Sequence, residues 1–142
     1  MEEMKGKILC IDDDEDTCEM LSTLLGDRGY EVIVATSVTE GLRLAKNEGS
    51  DLILTDLLFR DGTGFELCQM IRTFDSQTPI LFCSGARDQS FVEEAKEAGA
   101  QGYLIKPCES EKLERAIAAL IGEKKLQGLK VDSQHYSMAR TN

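Results

Sequence analysis

The sequence predicts an α/β fold in which helices cover both faces of a five-stranded parallel sheet. Short apolar runs typical of buried strands alternate five times with segments that carry apolar residues at helical spacing. That alternation is characteristic of repeated β-α units, whose parallel strands are joined by crossover helices. A chain of 142 residues, of which 42% are hydrophobic, suits one domain around one core.

The first two β-α units have clear start and stop signals. Residues 7–11 form an apolar run that predicts the first strand, and the next helix covers about 14–25 before the stop signal Gly26. Residues 30–35 are typical of the second strand. The segment Ser37-Val38-Thr39-Glu40 has the spacing of a capping box and predicts the start of the second helix.

The other three units follow the same pattern. Strands are expected at about 52–55, 79–83 and 102–105, a helix around Phe65, Leu67, Cys68 and Ile71, and further helices at about 89–98 and 109–121. The helix 89–98 carries few apolar residues, so we expect it to be mobile. Gly122 either ends the last helix or lies inside a helix that continues through Lys125. We therefore place the domain at 5–125 and a polar tail at 126–142.

The overall charge and composition exclude several classes of protein. The formal net charge of −10 opposes attraction to nucleic-acid phosphates, so we expect no direct nucleic-acid binding. No apolar stretch approaches the roughly 20 residues that span a bilayer, and the charged start is unlike a signal peptide. We therefore expect a cytoplasmic protein without membrane contact. The five cysteines include no C-x-x-C pair, so we expect neither disulfides nor a zinc site.

Polar side chains follow four of the five expected strands. Asp12 and Asp13 come directly after the first strand, and Asp56 comes directly after the third. Ser84 follows the fourth strand and Lys106 follows the fifth. Ligands of open α/β sheets bind outside the carboxyl ends of the strands, so these side chains are candidates for one site. The periodicity alone does not fix the order of the strands.

The residue types in this group fit phosphoryl transfer assisted by a metal ion. The carboxylates of Asp12, Asp13 and Asp56 would repel one another unless a cation joined them, and hard oxygen ligands suit Mg²⁺. The Lys106 ammonium adds positive charge, and the Ser84 hydroxyl offers a hydrogen bond. Phosphoryl transfer depends on such charge neutralisation and positioning, and aspartate is an established phosphoryl acceptor.

Four segments, in order, resemble the receiver domains of bacterial two-component response regulators, in particular the single-domain, chemotaxis-type members. They cover residues 8–14, 51–56, 79–87 and 98–107, and the resemblance spans about residues 5–123. It implies a flavodoxin-like (βα)5 doubly wound sheet with strand order 2-1-3-4-5. That order puts the strand before Asp56 between the first strand and the fourth.

The resemblance also implies a role for each acidic residue. Asp56 corresponds to the phosphoacceptor and is one of the metal ligands. Asp13 corresponds to a direct ligand, and Asp12 acts mainly through metal-bound water. The backbone carbonyl of Leu58 completes the protein's share of the ligands, and the implied cofactor is Mg²⁺.

Three further residues correspond to the parts that sense the phosphoryl group. Lys106 and the hydroxyl of Ser84 are expected to contact the phosphoryl oxygens. Tyr103 corresponds to the aromatic switch position, whose ring enters space that opens when Ser84 moves toward the phosphate. The change alters the surface made by the fourth helix, the fifth strand and the fifth helix, where partners read the state.

The implied function is a phosphorylation-activated signalling switch. We do not expect an enzyme, because the domain catalyses only its own phosphotransfer and dephosphorylation. The implied phosphoryl donor is a sensor histidine kinase or a phosphotransfer protein, and the output is binding to a downstream protein. We expect a monomer, or a weak homodimer through the surface of the fourth helix, fifth strand and fifth helix.

Some positions depart from the family pattern. Arg60 stands where the family usually has proline, which leaves the conformation of that loop open. Leu58 and Ala86, two residues past Asp56 and Ser84, are apolar and flank the path of an attacking water. We therefore expect slow to moderate loss of the phosphoryl group.

Four alternatives to this function differ in what they require of the sequence. A hydrolase of the haloacid dehalogenase type needs a second acid two residues past its nucleophile, where Leu58 stands. A flavin-binding electron carrier needs a phosphate loop after the first strand, where Asp12 and Asp13 would repel a flavin phosphate. A receiver fragment of a larger regulator with a separate output domain stays open. A receiver-like adaptor that works without phosphorylation is a further alternative, although the intact acidic group argues against it.

Overall fold

A five-stranded sheet and five helices make up most of residues 3–129, the part of the chain that this computed structural model describes. The strands of the main sheet are β1 (Gly6–Ile11), β2 (Tyr30–Ala35), β3 (Leu52–Thr55), β4 (Ile80–Ser84) and β5 (Gly102–Ile105). The helices are α1 (Glu15–Asp27), α2 (Val38–Glu48), α3 (Gly64–Arg72), α4 (Gln89–Ala98) and α5 (Ser110–Leu129).

All five strands of the main sheet are parallel, in the order β2-β1-β3-β4-β5. This arrangement confirms the predicted α/β class and the flavodoxin-like strand order. Ile11 at the end of β1 is level with Ala35 of β2 and Thr55 of β3, and Ser84 of β4 is level with Ile105 of β5. The polar residues that follow these strands therefore start from one edge of the sheet.

The sheet separates two apolar layers. Successive residues of a strand point to opposite faces. Leu9 and Ile11 of β1 pack in a layer that includes residues of α2, α3 and α4, whereas Ile8 and Cys10 pack with residues of α1 and α5. Both faces of β1 are therefore buried, which explains why its sequence is a continuous apolar run rather than an alternating one.

The last helix is longer than its periodicity suggested. It passes through Gly122, which was one of the two expectations, and continues to Leu129. Residues 126–129, which we assigned to the tail, are therefore helical, and the rest of that tail lies outside the described residues. Within 3–129, no helix combines the length and apolarity that a membrane span requires. All five cysteines are free thiols.

A short hairpin between β3 and α3 is a feature that the sequence analysis did not predict. Leu58–Phe59 pairs in antiparallel fashion with Gly62–Thr63, and Arg60 and Asp61 form the turn. Two-residue strands are too short to give a periodic pattern, so no alternation in the sequence could indicate them. The hairpin begins two residues past Asp56 and therefore continues the candidate site.

Candidate functional site

The three aspartates of the candidate site meet at the carboxyl edge of the sheet. Carboxylate oxygens of Asp12, Asp13 and Asp56 lie within 4.8 Å of one another. Their positions follow from the sheet, because the Asp12 N–H donates to the Ala35 carbonyl at 3.0 Å and the Asp56 N–H donates to the Ile11 carbonyl at 2.9 Å. The backbone hydrogen bonds of the sheet thus extend one residue past the ends of β1 and β3, and they fix the backbone positions of Asp12 and Asp56.

The surroundings of the three acids differ. Asp12 is only 4% exposed, the side chain of Asp56 is 18% exposed, and Asp13 is exposed. Asp12 Oδ1 accepts the Asp14 N–H at 3.0 Å, which turns the chain into α1. Asp56 Oδ1 accepts the Leu57 N–H at 2.7 Å. Each of these two carboxylates therefore keeps one oxygen bound to the backbone and presents the other to the site.

Lys106 bridges the two less exposed acids. Its Nζ lies 2.9 Å from Asp12 Oδ2 and 3.3 Å from Asp56 Oδ2. Partial burial alone would lower the pKa of Lys106, but the hydrogen bond to Asp12 and the charge of Asp56 outweigh it. The pKa of Lys106 is therefore raised, and the group is a cation at neutral pH.

Ser84 and Tyr103 both bind the backbone of Ala86, a residue of the loop after β4. The Ala86 N–H donates to Ser84 Oγ at 3.1 Å, and the Tyr103 hydroxyl donates to the Ala86 carbonyl at 2.5 Å. The Tyr103 ring is half-buried and stacks on Phe82, with 5.8 Å between the ring centroids. Burial raises the pKa of Tyr103, and the nearby Ser84 side chain partly offsets that effect. The two predicted switch residues are therefore physically linked.

The backbone around Asp56 is packed so closely that one position has to be glycine. The Gly64 N–H donates to the Leu57 carbonyl at 2.6 Å. A Cβ on Gly64 would lie 2.5 Å from the Asp56 carbonyl oxygen and 2.6 Å from Phe82 Cε2. The first turn of α3 is thus pressed against the backbone of the candidate acceptor.

The donor set fits a hard divalent cation. Asp12, Asp13 and Asp56 bring three carboxylates together, and Lys106 supplies one positive charge close to two of them. Such a group favours binding of a cation, and carboxylate oxygens with a backbone carbonyl are ligands that Mg²⁺ accepts. Leu58, whose carbonyl was the fourth expected ligand, begins the hairpin two residues past Asp56 and is 65% exposed.

A cleft of about 490 Å³ adjoins the acidic group between α1 and α5. Its walls include Met20, Leu24, Cys83 and Cys108. Burial raises the pKa of the Cys83 thiol to about 11, so this thiol is protonated at neutral pH. The sequence gives no sign of this cleft, because its shape depends on how two helices far apart in sequence lie on the sheet.

Together these features define a doubly wound α/β protein with a carboxylate cluster and a lysine at the carboxyl edge of its sheet. The chain belongs to the family described as response regulator receiver domain, whose family model matches residues 8–118.

Relatives of known kind share this region. The chain is 31% identical over 119 residues to the DNA-binding response regulator MtrA of Mycobacterium bovis, which covers 84% of this chain and 52% of MtrA. It is 33% identical over 119 residues to a probable transcriptional regulator, ycf27, of Guillardia theta, covering 84% of this chain and 46% of that protein. The chain therefore spans about half the length of these relatives.

Solved structures agree with the fold. A CheY-like receiver domain protein from Methanospirillum hungatei superposes with a TM-score of 0.83 at 26% identity, covering 89% of this chain and 99% of that one. A receiver domain protein from Clostridium thermocellum superposes with a TM-score of 0.80 at 33% identity, covering 85% of this chain and 98% of that one.

Proposed function

We propose that this receiver domain is a phosphorylation-activated switch that accepts a phosphoryl group on Asp56 in an Mg²⁺-dependent reaction. One observation carries the proposal. Asp56 Oδ2 lies in a group in which Asp12 and Asp13 provide carboxylates and Lys106 provides an ammonium 3.3 Å away. This is the charge arrangement that phosphoryl transfer to a carboxylate requires.

The chemical step is a displacement at phosphorus. A carboxylate oxygen of Asp56 forms the new O–P bond, and the P–N bond of a phosphohistidine breaks with its electron pair leaving on the donor nitrogen. With acetyl phosphate as donor, a P–O bond breaks and acetate leaves. Lys106 then faces the phosphoryl oxygens with a proton that its raised pKa keeps in place.

Asp12, Asp13, Asp56 and the carbonyl of Leu58 would hold Mg²⁺. When bound, the ion supplies positive charge that offsets the negative charge of the acidic group and of the incoming phosphoryl oxygens. In this proposal Asp56 serves both as ligand and as acceptor. The domain is not an enzyme acting on other molecules, since it promotes only its own phosphorylation and dephosphorylation.

The output of the switch is proposed to pass through Ser84 and Tyr103 to the surface of α4, β5 and α5. A phosphoryl group on Asp56 would draw the Ser84 hydroxyl away from the Ala86 N–H that it now accepts from at 3.1 Å. Because Tyr103 donates to the carbonyl of the same Ala86, movement of this loop changes the position of the Tyr103 ring. Tyr103 belongs to β5, so a new ring position alters the α4–β5–α5 surface.

The proposed partners are a sensor histidine kinase or phosphotransfer protein upstream and a protein partner downstream. We place the domain in the cytoplasm, as a monomer or as a weak homodimer through the α4–β5–α5 surface. The net charge of −10 supports a domain that does not itself bind nucleic acid or membranes. The greater length of relatives such as MtrA is compatible with the alternative of a receiver inside a longer regulator with a separate output domain.

Intact mass after incubation with acetyl phosphate tests the proposal. We expect the mass of one phosphoryl group to be added in the presence of Mg²⁺ and not after chelation with EDTA. Asp56→Asn should abolish the addition. Phosphorylation that persists in Asp56→Asn, or that ignores Mg²⁺, would overturn the site assignment. A folded protein that takes up no phosphoryl group would favour the adaptor alternative.

A further inference from the structure

The turn of the hairpin holds a carboxylate that binds another element of the fold. Asp61 Oδ1 accepts the Val38 N–H at 3.0 Å. Asp61 Oδ2 accepts the Thr39 N–H at 3.0 Å and the Thr39 hydroxyl at 2.9 Å. Val38 and Thr39 are the first two residues of α2 and lie more than 20 positions earlier in the chain. Asp61 is thus a tertiary clamp, not a local turn contact.

The N-terminus of α2 has a use for such a carboxylate. The first N–H groups of a helix have no partner within the helix, and the positive end of its dipole favours an anion. Ser37 caps α2 locally, but its Oγ accepts only the Glu40 N–H, at 3.0 Å. The two N–H groups that Ser37 leaves over are the two that Asp61 binds.

The strand pairing of the hairpin connects Asp61 to Leu58, whose carbonyl is the expected metal ligand. Leu58 pairs with Thr63 and Phe59 pairs with Gly62, so the turn that carries Asp61 is joined to Leu58 by strand pairing. Thr63 in turn forms a complete capping box with Glu66 at the start of α3. The turn itself contains no proline that would stiffen it. The hairpin is therefore fixed at its base by α3 and at its tip by Asp61.

The tip of the hairpin also lies close to the acidic group. A polar cleft of about 440 Å³ is lined by Asp13, Ser37, Arg60 and Asp61, among others. Asp13 and the hairpin tip therefore flank one open space beside the N-terminus of α2. A shift of the hairpin would change the distance between Leu58 and the aspartates on the other side.

We propose that Asp61 is a positioning residue for the Mg²⁺ site, holding the hairpin against α2 so that the Leu58 carbonyl stays at the distance the ion requires. This role rests on the proposed function, because it assumes Mg²⁺ at the three aspartates. Mg²⁺ demands near-ideal octahedral geometry, so a loosened ligand costs affinity. Partners that orient metal ligands from outside the coordination sphere are typically worth about 10- to 100-fold in metal affinity.

Calorimetric titration of the full chain with MgCl2 at neutral pH tests this role. Asp61→Ala should weaken Mg²⁺ binding about tenfold, at the lower end of that range. Asp61→Asn keeps a carbonyl oxygen that accepts one of the N–H groups, so its affinity should fall between those of the wild type and Asp61→Ala. Ser37→Ala is the matched control, since it removes a cap from the same end of α2 without touching the hairpin. Its Mg²⁺ affinity should equal that of the wild type.

Each outcome of the titration decides the matter. Wild-type affinity in Asp61→Ala overturns the inference and leaves the proposed function intact. If Asp61→Ala and Asp61→Asn weaken Mg²⁺ binding equally, the effect is a loss of charge only, and the positioning role is overturned. If Ser37→Ala weakens Mg²⁺ binding as much as Asp61→Ala does, the effect is a general one of α2, and the role is also overturned. A wild type that binds no Mg²⁺ removes the proposed metal site and the inference with it. Should Asp61→Ala fail to fold, wild-type affinity in Asp61→Asn overturns the role, and weaker binding than in Ser37→Ala supports it.

Discussion

At the scale of single residues, the Lys106 ammonium offsets the negative charge of two of the three clustered aspartates. Lys106 contacts Asp12 and Asp56, and both contacts favour its protonated form in the folded state. In the unfolded chain the two acids are distant and the lysine titrates near its ordinary pKa of about 10.4. The difference links the stability of the domain to alkaline pH.

The expected pH dependence follows from the raised pKa of Lys106. The stabilisation is complete below the unfolded pKa, about 10.4, and is lost as pH rises through the higher folded value. The urea midpoint of the wild type should therefore exceed that of Lys106→Met near pH 8, and the gap should narrow as pH rises above 10. Urea denaturation followed by circular dichroism checks this, and a gap that stays constant through this range would contradict it.

Leu58 is a second residue with an expected effect of its own. Leu58 is 65% exposed and lies two residues past the candidate acceptor, and its side chain has no group that could orient a water. We expect Leu58→Asn to speed loss of the phosphoryl group from Asp56 roughly tenfold, the equivalent of one hydrogen bond of about 1.4 kcal/mol made only in the transition state. Mass spectrometry over time after removal of acetyl phosphate measures the rate, with Leu58→Ala as the control. An unchanged rate in Leu58→Asn would refute the idea.

At the scale of elements, the start of α3 decides how closely the chain can pack behind Asp56. Gly64→Ala places a Cβ 2.5 Å from the Asp56 carbonyl oxygen, which is backbone and cannot rotate away. We expect a loss of stability of about 1–3 kcal/mol, as for other overpacked sites. Gly122→Ala is the control, because nothing lies within 4 Å of its added Cβ and it sits inside α5. That change should stabilise by about 0.5–1 kcal/mol. Urea unfolding of both variants measures the two effects, and a stable Gly64→Ala would contradict the packing argument.

The elements also show where sequence patterns succeed and where they fail. The bounds of β2, β3, β5 and α4 are those that the sequence predicts. The three strands are short apolar runs, and α4 ends directly before Gly99. The sequence left the end of α5 open, because glycine often ends a helix. In the structure α5 continues through Gly122, where an added Cβ would have no atom within 4 Å. The hairpin was missed because its two-residue strands are too short to give a periodic pattern. The Asp61 clamp was missed because its bonds join residues more than 20 positions apart and depend on tertiary structure.

At the scale of the whole molecule, the sheet brings the three acids and Lys106 together from three separate stretches of sequence and places Ser84 at the same edge. The sequence identified Asp12, Asp13, Asp56, Ser84 and Lys106 by their places after strands, and the strand order came from the resemblance. The structure adds distances for the acids and Lys106, and it adds the shared bonds of Ser84 and Tyr103 to Ala86. The bond from Tyr103 to Ala86 could not be predicted, because it joins residues 17 positions apart and depends on how β5 lies beside the loop after β4.

The whole molecule also holds the two ends of α4 differently. The C-terminal end is fixed, because Arg72 of α3 donates two hydrogen bonds to the Gly99 carbonyl, at 3.0 and 2.9 Å, and one to Gln101 at 2.8 Å. The N-terminal end follows the loop that carries Ala86, the residue bound by both Ser84 and Tyr103. A signal from Asp56 should therefore move α4 as a lever about its C-terminal end.

Hydrogen exchange measured by mass spectrometry checks this lever. With acetyl phosphate and Mg²⁺, we expect amide protection to change severalfold in the first half of α4, Gln89–Glu93, and little in its last turn. Arg72→Ala frees the C-terminal end, so the change should then extend to Gly99. Asp56→Asn serves as the control and should show no change with acetyl phosphate. Because the two ends of α4 are held by different contacts, a uniform change in amide protection along α4 of the wild type would contradict the lever. No change in protection would mean that α4 does not carry the signal.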